Sequence, residues 1–179
     1  MALTATIYKF DIDLADADRH VYETLSLQAA RHPSESDAYL VARVLAYALE
    51  FTDGIAWSHG LAEPNEPAIA VRDLTGAMRV WIEIGSPDAA RLHKASKAAP
   101  RVVVYTHKDP AQLVGGLAGE KIHRMDAIEV YAIDRNLVSA LVARLDRRMA
   151  FGLSIADREL FISIGTETLH GAVVRCPLG

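Results

Sequence analysis

Val80-Trp81-Ile82-Glu83-Ile84-Gly85-Ser86-Pro87-Asp88 is an apolar run with one carboxylate at its centre, followed at once by a helix start. The run predicts an inner β-strand. Charged side chains are rarely fully buried without a partner, so Glu83 needs a cation, a donor or a second acid. Two readings stand side by side: a structural pair with Arg91 or Lys94 tying strand to helix, or ligation of a metal ion.

Upstream, Asp73-Leu74-Thr75-Gly76 reads as a four-residue turn, with Asp favoured at its first position and Gly at its last. Closing a hairpin there sets Arg72 opposite Ala77, Ile69 opposite Val80 and Glu66 opposite Glu83. Directly opposed residues have Cβ atoms ~5 Å apart, and two carboxylates so placed share a proton or clamp a divalent cation. Asp73 lies about four residues along the ladder at ~3.3 Å each, too far to share an ion with Glu83. Glu66 is therefore preferred to Asp73, and a register shift of one or two residues reopens the choice.

Downstream, Ser86 is expected to cap a helix, with Pro87 in its first turn and Asp88 complementing the dipole. Arg91, Lys94 and Lys97 follow at intervals of three, with Arg91 and Lys94 near enough to the strand end to reach back towards Glu83.

The 179 residues, half of them apolar, predict a single domain, 1–179, with a full core. A net charge of -4 argues against broad nonspecific nucleic-acid binding but leaves room for a local basic groove. The single cysteine, Cys176, excludes an intrachain disulfide and any cysteine-only zinc site. No apolar run reaches the ~18–20 residues of a membrane helix, and the N-terminus lacks a signal-peptide pattern. The expectation is a cytoplasmic protein without membrane attachment. The sequence is silent on oligomeric state.

Alternation at Thr6, Tyr8, Phe10, Ile12 and Leu14, repeated at Val21, Leu25 and Leu27, predicts an N-terminal hairpin. A long helix should open at Pro33 or Ser34 and run to about Phe51. After the 80–88 stretch, residues 101–106 read as a strand buried on both faces, in a right-handed crossover that makes it parallel to its predecessor. Gly115 and Gly116 weaken a helix at 111–118. Residues 127–133 predict a strand, and Asp134 caps the next helix. Alternation from Leu153 to Val174 predicts antiparallel strands that join the N-terminal hairpin in a second sheet. The class is α/β.

Several of these segments resemble the YaeQ family. They are Met1-Ala2-Leu3 with Ala5-Thr6-Ile7-Tyr8-Lys9, Arg31-His32-Pro33-Ser34-Glu35, Glu66-Pro67, and Trp81-Ile82-Glu83-Ile84-Gly85 with Pro87-Asp88, Arg91 and Lys94. The similarity spans nearly the whole chain. It implies a bacterial protein with a fold similar to the PD-(D/E)XK nuclease superfamily. In that superfamily a mixed-sheet core with flanking helices carries two acids on a hairpin, which bind magnesium, and a lysine that orients the attacking water. The resemblance implies Glu66 and Glu83 as the magnesium ligands, with manganese as a substitute, and Glu35 as a further acid on the first helix. Two positions depart from the superfamily pattern: Gly85 stands where lysine is expected, and Glu66 precedes Pro67 instead of an aspartate following a proline. Lys94, with Arg91 as a second cation, is the candidate for a displaced lysine.

Each residue has a plainer role available. Glu66 can be a solvated loop acid, Lys94 and Lys97 a solvated helix face, Glu35 a helix-dipole acid and His32 a loop histidine bonded to a backbone carbonyl. The scattered histidines 59, 93, 107, 123 and 170 show no zinc-ligand spacing, and there is no phosphate loop or nucleophile elbow. The expected function is a magnesium-dependent nuclease or nuclease-like protein acting on phosphodiesters. The competing expectation is a noncatalytic scaffold that binds nucleic acid or a protein partner.

Overall fold

The computed structural model describes residues 4–58 and 65–178. Its elements run β1 (Thr6–Asp16), β2 (Val21–Arg31), α1 (Asp37–Leu49), β3 (Ile55–Trp57), β4 (Ile69–Arg72), β5 (Met78–Ile84), α2 (Ala89–Ala98), β6 (Arg101–Thr106), α3 (Pro110–Leu117), β7 (Glu129–Ile133), α4 (Arg135–Ala143), β8 (Arg148–Ala156), β9 (Glu159–Ile164) and β10 (Glu167–Arg175). The class is α/β, as the alternation of strand and helix patterns predicts.

The ten strands among the described residues form one sheet, in the order β2-β1-β8-β9-β10-β7-β6-β5-β4-β3. This corrects the expectation of a second, separate sheet. The nine-residue β10 pairs with β9 along Glu167–Ala172 and with β7 along Val173–Arg175, so it joins the two halves. The tail strands are antiparallel to one another, but β8 runs parallel to β1, with Lys9 opposite Arg148 and Asp16 opposite Ile155. The other parallel pairs are β5 with β6 and β6 with β7.

The sheet curls around α1. Phe10 and Leu25 near one edge and Ile69 and Val71 near the other share one apolar core with Leu40, Leu45 and the α4 residues Leu137 and Leu141. Helix α1 is apolar on nearly every side, with Val41, Ala42, Val44, Ala46 and Ala48 all buried, as an enclosed helix must be. On the opposite face of β5, β6 and β7, Trp81, Val102, Val104 and Val130 pack under Leu92 of α2 and Leu113 of α3. Residues 101–106 are thus covered on both faces, which accounts for their unbroken apolar character.

The helix starts differ from expectation by two residues. Ser36, not Ser34 or Pro33, caps α1, its hydroxyl accepting from Tyr39 N at 3.0 Å. The residues before it form a turn closed by Glu35 N donating to His32 O at 2.9 Å. Asp88, not Ser86, caps α2 by accepting from Arg91 N at 2.8 Å; a carboxylate also complements the dipole there, which a hydroxyl does not. Helix α3 forms despite its two glycines, started by the Asp109 cap and Pro110. The three-residue β3 at the sheet edge was not expected. The proline-flanked loop expected at 62–67 lies partly outside the described residues.

The central hairpin is shifted relative to the predicted register. Ile69 pairs with Ile82, Ala70 with Trp81 and Val71 with Val80, and a bulge between Val71 and Arg72 brings Arg72 opposite Met78. The turn does close with Gly76 N donating to Asp73 O at 3.0 Å. However, Asp73 rather than Arg72 faces Ala77, and the bulge adds a further step. Together they move the pairing by two residues, so Glu66 lies before β4 and is not opposite Glu83.

Candidate functional site

Glu83 and Trp81 lie two apart on β5 and so point to the same face, beneath α2. Glu83 is 5 % exposed. Its Oε1 accepts from Trp81 Nε1 at 2.7 Å. Asp88 starts α2 so that Arg91 falls one turn in, directly over the strand end. Arg91 donates from Nε to Glu83 Oε2 at 2.9 Å and approaches Oε1 through Nη2, also at 2.9 Å. This two-pronged contact is the strong form of guanidinium–carboxylate pairing. The guanidinium also lies over the Trp81 ring, 5.6 Å from its centroid. Burial works against the Arg91 cation, but the bond and charge of Glu83 outweigh it and hold its pKa above the usual value. The structural pair expected as one of the two readings of Glu83 is thus what the side chains form.

Arg91 reaches further. Its Nη2 donates to the backbone oxygen of Glu66 at 2.7 Å, stitching α2 to the segment that leads into β4. Glu35, Glu66 and Arg91 line one cleft of about 420 Å³ together with His32, Tyr39, Arg43 and Trp57. Glu35 lies before the α1 cap instead of inside the helix. Its Oε1 accepts from His32 N at 3.3 Å, and its Oε2 stands 3.7 Å from Arg43 Nη2. Arg43 in turn donates to Ala30 O at 2.7 Å and lies over Trp57. His32 Nδ1 meets the Ser34 hydroxyl and accepts from Ser34 N in its own turn, in place of the expected bond to a backbone carbonyl.

Lys94 does not join this group. It is exposed and pairs with no acid among the described residues. Three residues on a helix differ by about 60° in direction, enough to turn Lys94 to solvent once Arg91 is aimed at the strand. Lys97 is exposed as well. Asp73 stays at its turn, where Thr75 donates to its carboxylate. Gly85, in the position of the superfamily lysine, has φ +90. The nearest obstacle to a side chain there is His107 Cε1 at 3.8 Å, so there is space. The left-handed backbone itself disfavours lysine, by roughly 1–2 kcal/mol.

Magnesium, which the resemblance implies, does not fit this arrangement. Both oxygens of Glu83 accept N–H donors, and a cation beside them would stand against the Arg91 guanidinium. Glu66 meets that guanidinium through its carbonyl. Among the described residues, no three His, Cys, Asp or Glu side chains converge to hold a metal ion.

Sequence reasoning missed a second cluster, at the other end of α1. Arg101, at the start of β6, lies between Glu129, at the start of β7, and Glu50, at the end of α1. It donates from Nε to Glu129 Oε2 at 2.7 Å and from Nη1 to Glu50 Oε1. Tyr105 donates to Glu50 Oε2 at 3.0 Å and Tyr131 to Glu129 Oε1 at 2.9 Å, with the two rings stacked at 5.4 Å. These groups line a cavity of about 610 Å³. Burial, then Glu50, drives the Tyr105 phenol well above its usual range. Glu129 is held below the usual carboxylate range: burial opposes this, but the bond and charge of Arg101 prevail.

The YaeQ protein family matches residues 1–173. This chain belongs to the YaeQ family. The uncharacterized protein YaeQ of Escherichia coli (strain K12) is 31% identical over 171 residues, which cover 95% of this chain and 94% of the relative. The counterpart in Salmonella typhi is 30% identical over the same length. The crystal structure of YaeQ from Xanthomonas axonopodis pv. citri superposes with a TM-score of 0.87 at 30% identity, covering 98% of this chain and 100% of that one. The YaeQ structure from Pseudomonas syringae gives 0.85 at 27% identity, with 96% and 95% covered. The α1 to β6 arrangement is therefore YaeQ architecture, and in this YaeQ chain the acid at its centre is paired internally.

Tyr39, in the YaeQ cleft wall, supplies a pH test. Burial, with Glu35 adding to it and Arg43 opposing it, holds the phenol up to about 12. A group whose folded pKa is raised contributes stability that is complete below the unfolded value, about 10 for tyrosine, and is lost as pH rises through the folded value. Urea midpoints should therefore fall between pH 10 and 12, and Tyr39→Phe should flatten part of that fall. An unchanged slope in the variant would show that the phenol titrates freely.

Proposed function

We propose that this YaeQ protein is a nuclease-fold scaffold that binds nucleic acid without cleaving it, through the cleft between α1, β4 and α2. One observation carries the reading: the Arg91 guanidinium occupies both oxygens of Glu83, the acid on which metal-dependent cleavage would depend. The left-handed backbone at Gly85, which disfavours lysine, points the same way. The order α1, β3, β4, β5, α2, β6 supports descent from the PD-(D/E)XK superfamily, since it repeats the helix, antiparallel hairpin, helix and parallel strand of that core. Trp57, Tyr39, Arg43 and Arg91 line the cleft together, the mixture of aromatic rings and cations on which single-stranded nucleic acid is bound.

The test is fluorescence anisotropy with short single-stranded DNA and RNA in the presence of EDTA. Binding should survive the chelator, weaken with salt on a shallow slope of about one or two phosphates, and weaken in Trp57→Ala. The magnesium-dependent nuclease is a second reading, supported by the meeting of Glu35, Glu66 and Arg91 in one cleft. Saturable magnesium or manganese binding by calorimetry, lost in Glu83→Ala, would replace the first reading with the second. A protein that binds no oligonucleotide and no metal would point to a protein partner.

A further inference from the structure

The second cavity, about 610 Å³, lies at the opposite end of α1 from the cleft. Its floor is fixed by the Glu50–Arg101–Glu129 chain and the two stacked tyrosines. One side is fixed by Asp16 and Arg19, whose guanidinium also donates to Phe51 O and Ala48 O at the end of α1. Neither Arg19 nor Arg101 is available to a ligand's carboxylate without breaking those bonds.

The rim differs. It is the two-residue turn Asp157-Arg158 between β8 and β9, closed by the Ala156 and Glu159 pair. Both residues have positive φ, +52 and +60. Such turns favour Asn-Gly or Asp-Gly, and strained non-glycine backbone persists where the surroundings over-determine it. Asp18 supplies the restraint, accepting from Asp157 N at 2.7 Å and Arg158 N at 2.9 Å. The strained turn carries two charged side chains at the cavity mouth. The Arg158 guanidinium lies over the Tyr131 ring, 4.8 Å from its centroid, and forms no ion pair with any carboxylate among the described residues. Asp157 has no side-chain partner among them either. Inside, two carboxylates, Glu50 and Glu129, share the single positive charge of Arg101.

We propose that this cavity binds a small zwitterion bearing an ammonium and a carboxylate, the chemistry of a free amino acid. Its carboxylate meets Arg158 and its ammonium meets Asp157, the two charges of the rim, with the acids Glu50 and Glu129 outnumbering Arg101 inside. The volume admits a molecule of this size with water around it. The site is independent of the cleft and of the function proposed for it.

The test is a thermal-shift screen of the full-length protein with the free L-amino acids, followed by calorimetry on those that stabilise it. Putrescine, which carries only ammonium groups, and succinate, which carries only carboxylates, serve as controls of one sign each. At least one amino acid should bind saturably, with the two controls at least about tenfold weaker. Arg158→Ala and Asp157→Asn should each weaken binding about tenfold, the effect of losing one charged hydrogen bond. Both side chains are exposed, so circular dichroism should be unchanged, and Trp57→Ala in the cleft should leave binding intact. The proposal is overturned if no amino acid binds, if either control binds as tightly, or if both rim variants bind like the wild type.

Discussion

Arg91→Ala should lower the unfolding free energy by about 3 kcal/mol in urea denaturation at neutral pH. Removing one partner of a buried ion pair leaves the other charge desolvated, at about 3–5 kcal/mol. The lower end applies here because the Arg91 side chain is 29% exposed whereas Glu83 is 6% exposed. The loss has three sources: the fork on Glu83, the contact with Trp81 and the bond to Glu66 O. Adding Glu83→Ala to Arg91→Ala should restore part of the stability, since the orphaned carboxylate is then gone, and the two changes should be strongly non-additive. Additive losses would mean that the pair does not hold the strand to α2 and that Glu83 is open to a metal ion. Glu83→Gln alone should be milder than Arg91→Ala, because the charge left behind is the partly exposed Arg91 guanidinium and the amide oxygen still accepts one donor.

Arg101→Ala should be at least as damaging, again about 3 kcal/mol or more. It strands two carboxylates, Glu50 and Glu129, whose side chains are 8% and 19% exposed. The pH dependence supplies a sharper sign. In the wild type Glu129 has a depressed pKa, so its contribution is present above the ordinary carboxylate value, about 4.3, and is lost as pH falls through the lower folded value. In the variant the carboxylates gain by accepting protons, and acid should narrow the gap between variant and wild type. Urea midpoints at pH 7 and pH 4.5 decide the matter. A gap that stays constant, or a loss under about 1 kcal/mol, would show that Glu50 and Glu129 are already well solvated.

The sequence made the strands and helices legible because their apolar spacing is regular: Phe10, Ile12 and Leu14, or Leu160 and Ile162, are buried in the alternation that was read. It also marked Glu83 as an acid needing a partner and put Arg91 among its candidates. Register was lost because the Val71/Arg72 bulge and the longer turn leave no compositional trace. Glu66 was consequently placed two residues too close to Glu83, and Lys94 was credited with a direction that the helix denies it. The second cavity escaped notice because its parts come from six separated segments, and Tyr105 and Tyr131 read as ordinary strand core. One signal was available: Arg101 and Glu129 share a face with those tyrosines, a charge of each sign opening two strands that are otherwise apolar.

The parallel pairing of β1 with β8 bears on how the protein is made. Lys9 meets Arg148, so the first strand synthesised finds this neighbour only when the chain is nearly complete. At about 5–20 residues per second, the interval is roughly 7 to 28 seconds on the ribosome. Throughout that time the inner side of the N-terminal hairpin, with Phe10, Ile12 and Leu14, has no β8 beside it, and the edge of β1 that will receive β8 stays open. Such an edge invites pairing with another nascent chain. Asp11 and Asp13, on the opposite face of that strand and exposed in the finished protein, keep charge on it during the wait. Charge on that face thus helps to keep the nascent hairpin apart from its neighbours on a polysome until β8 arrives.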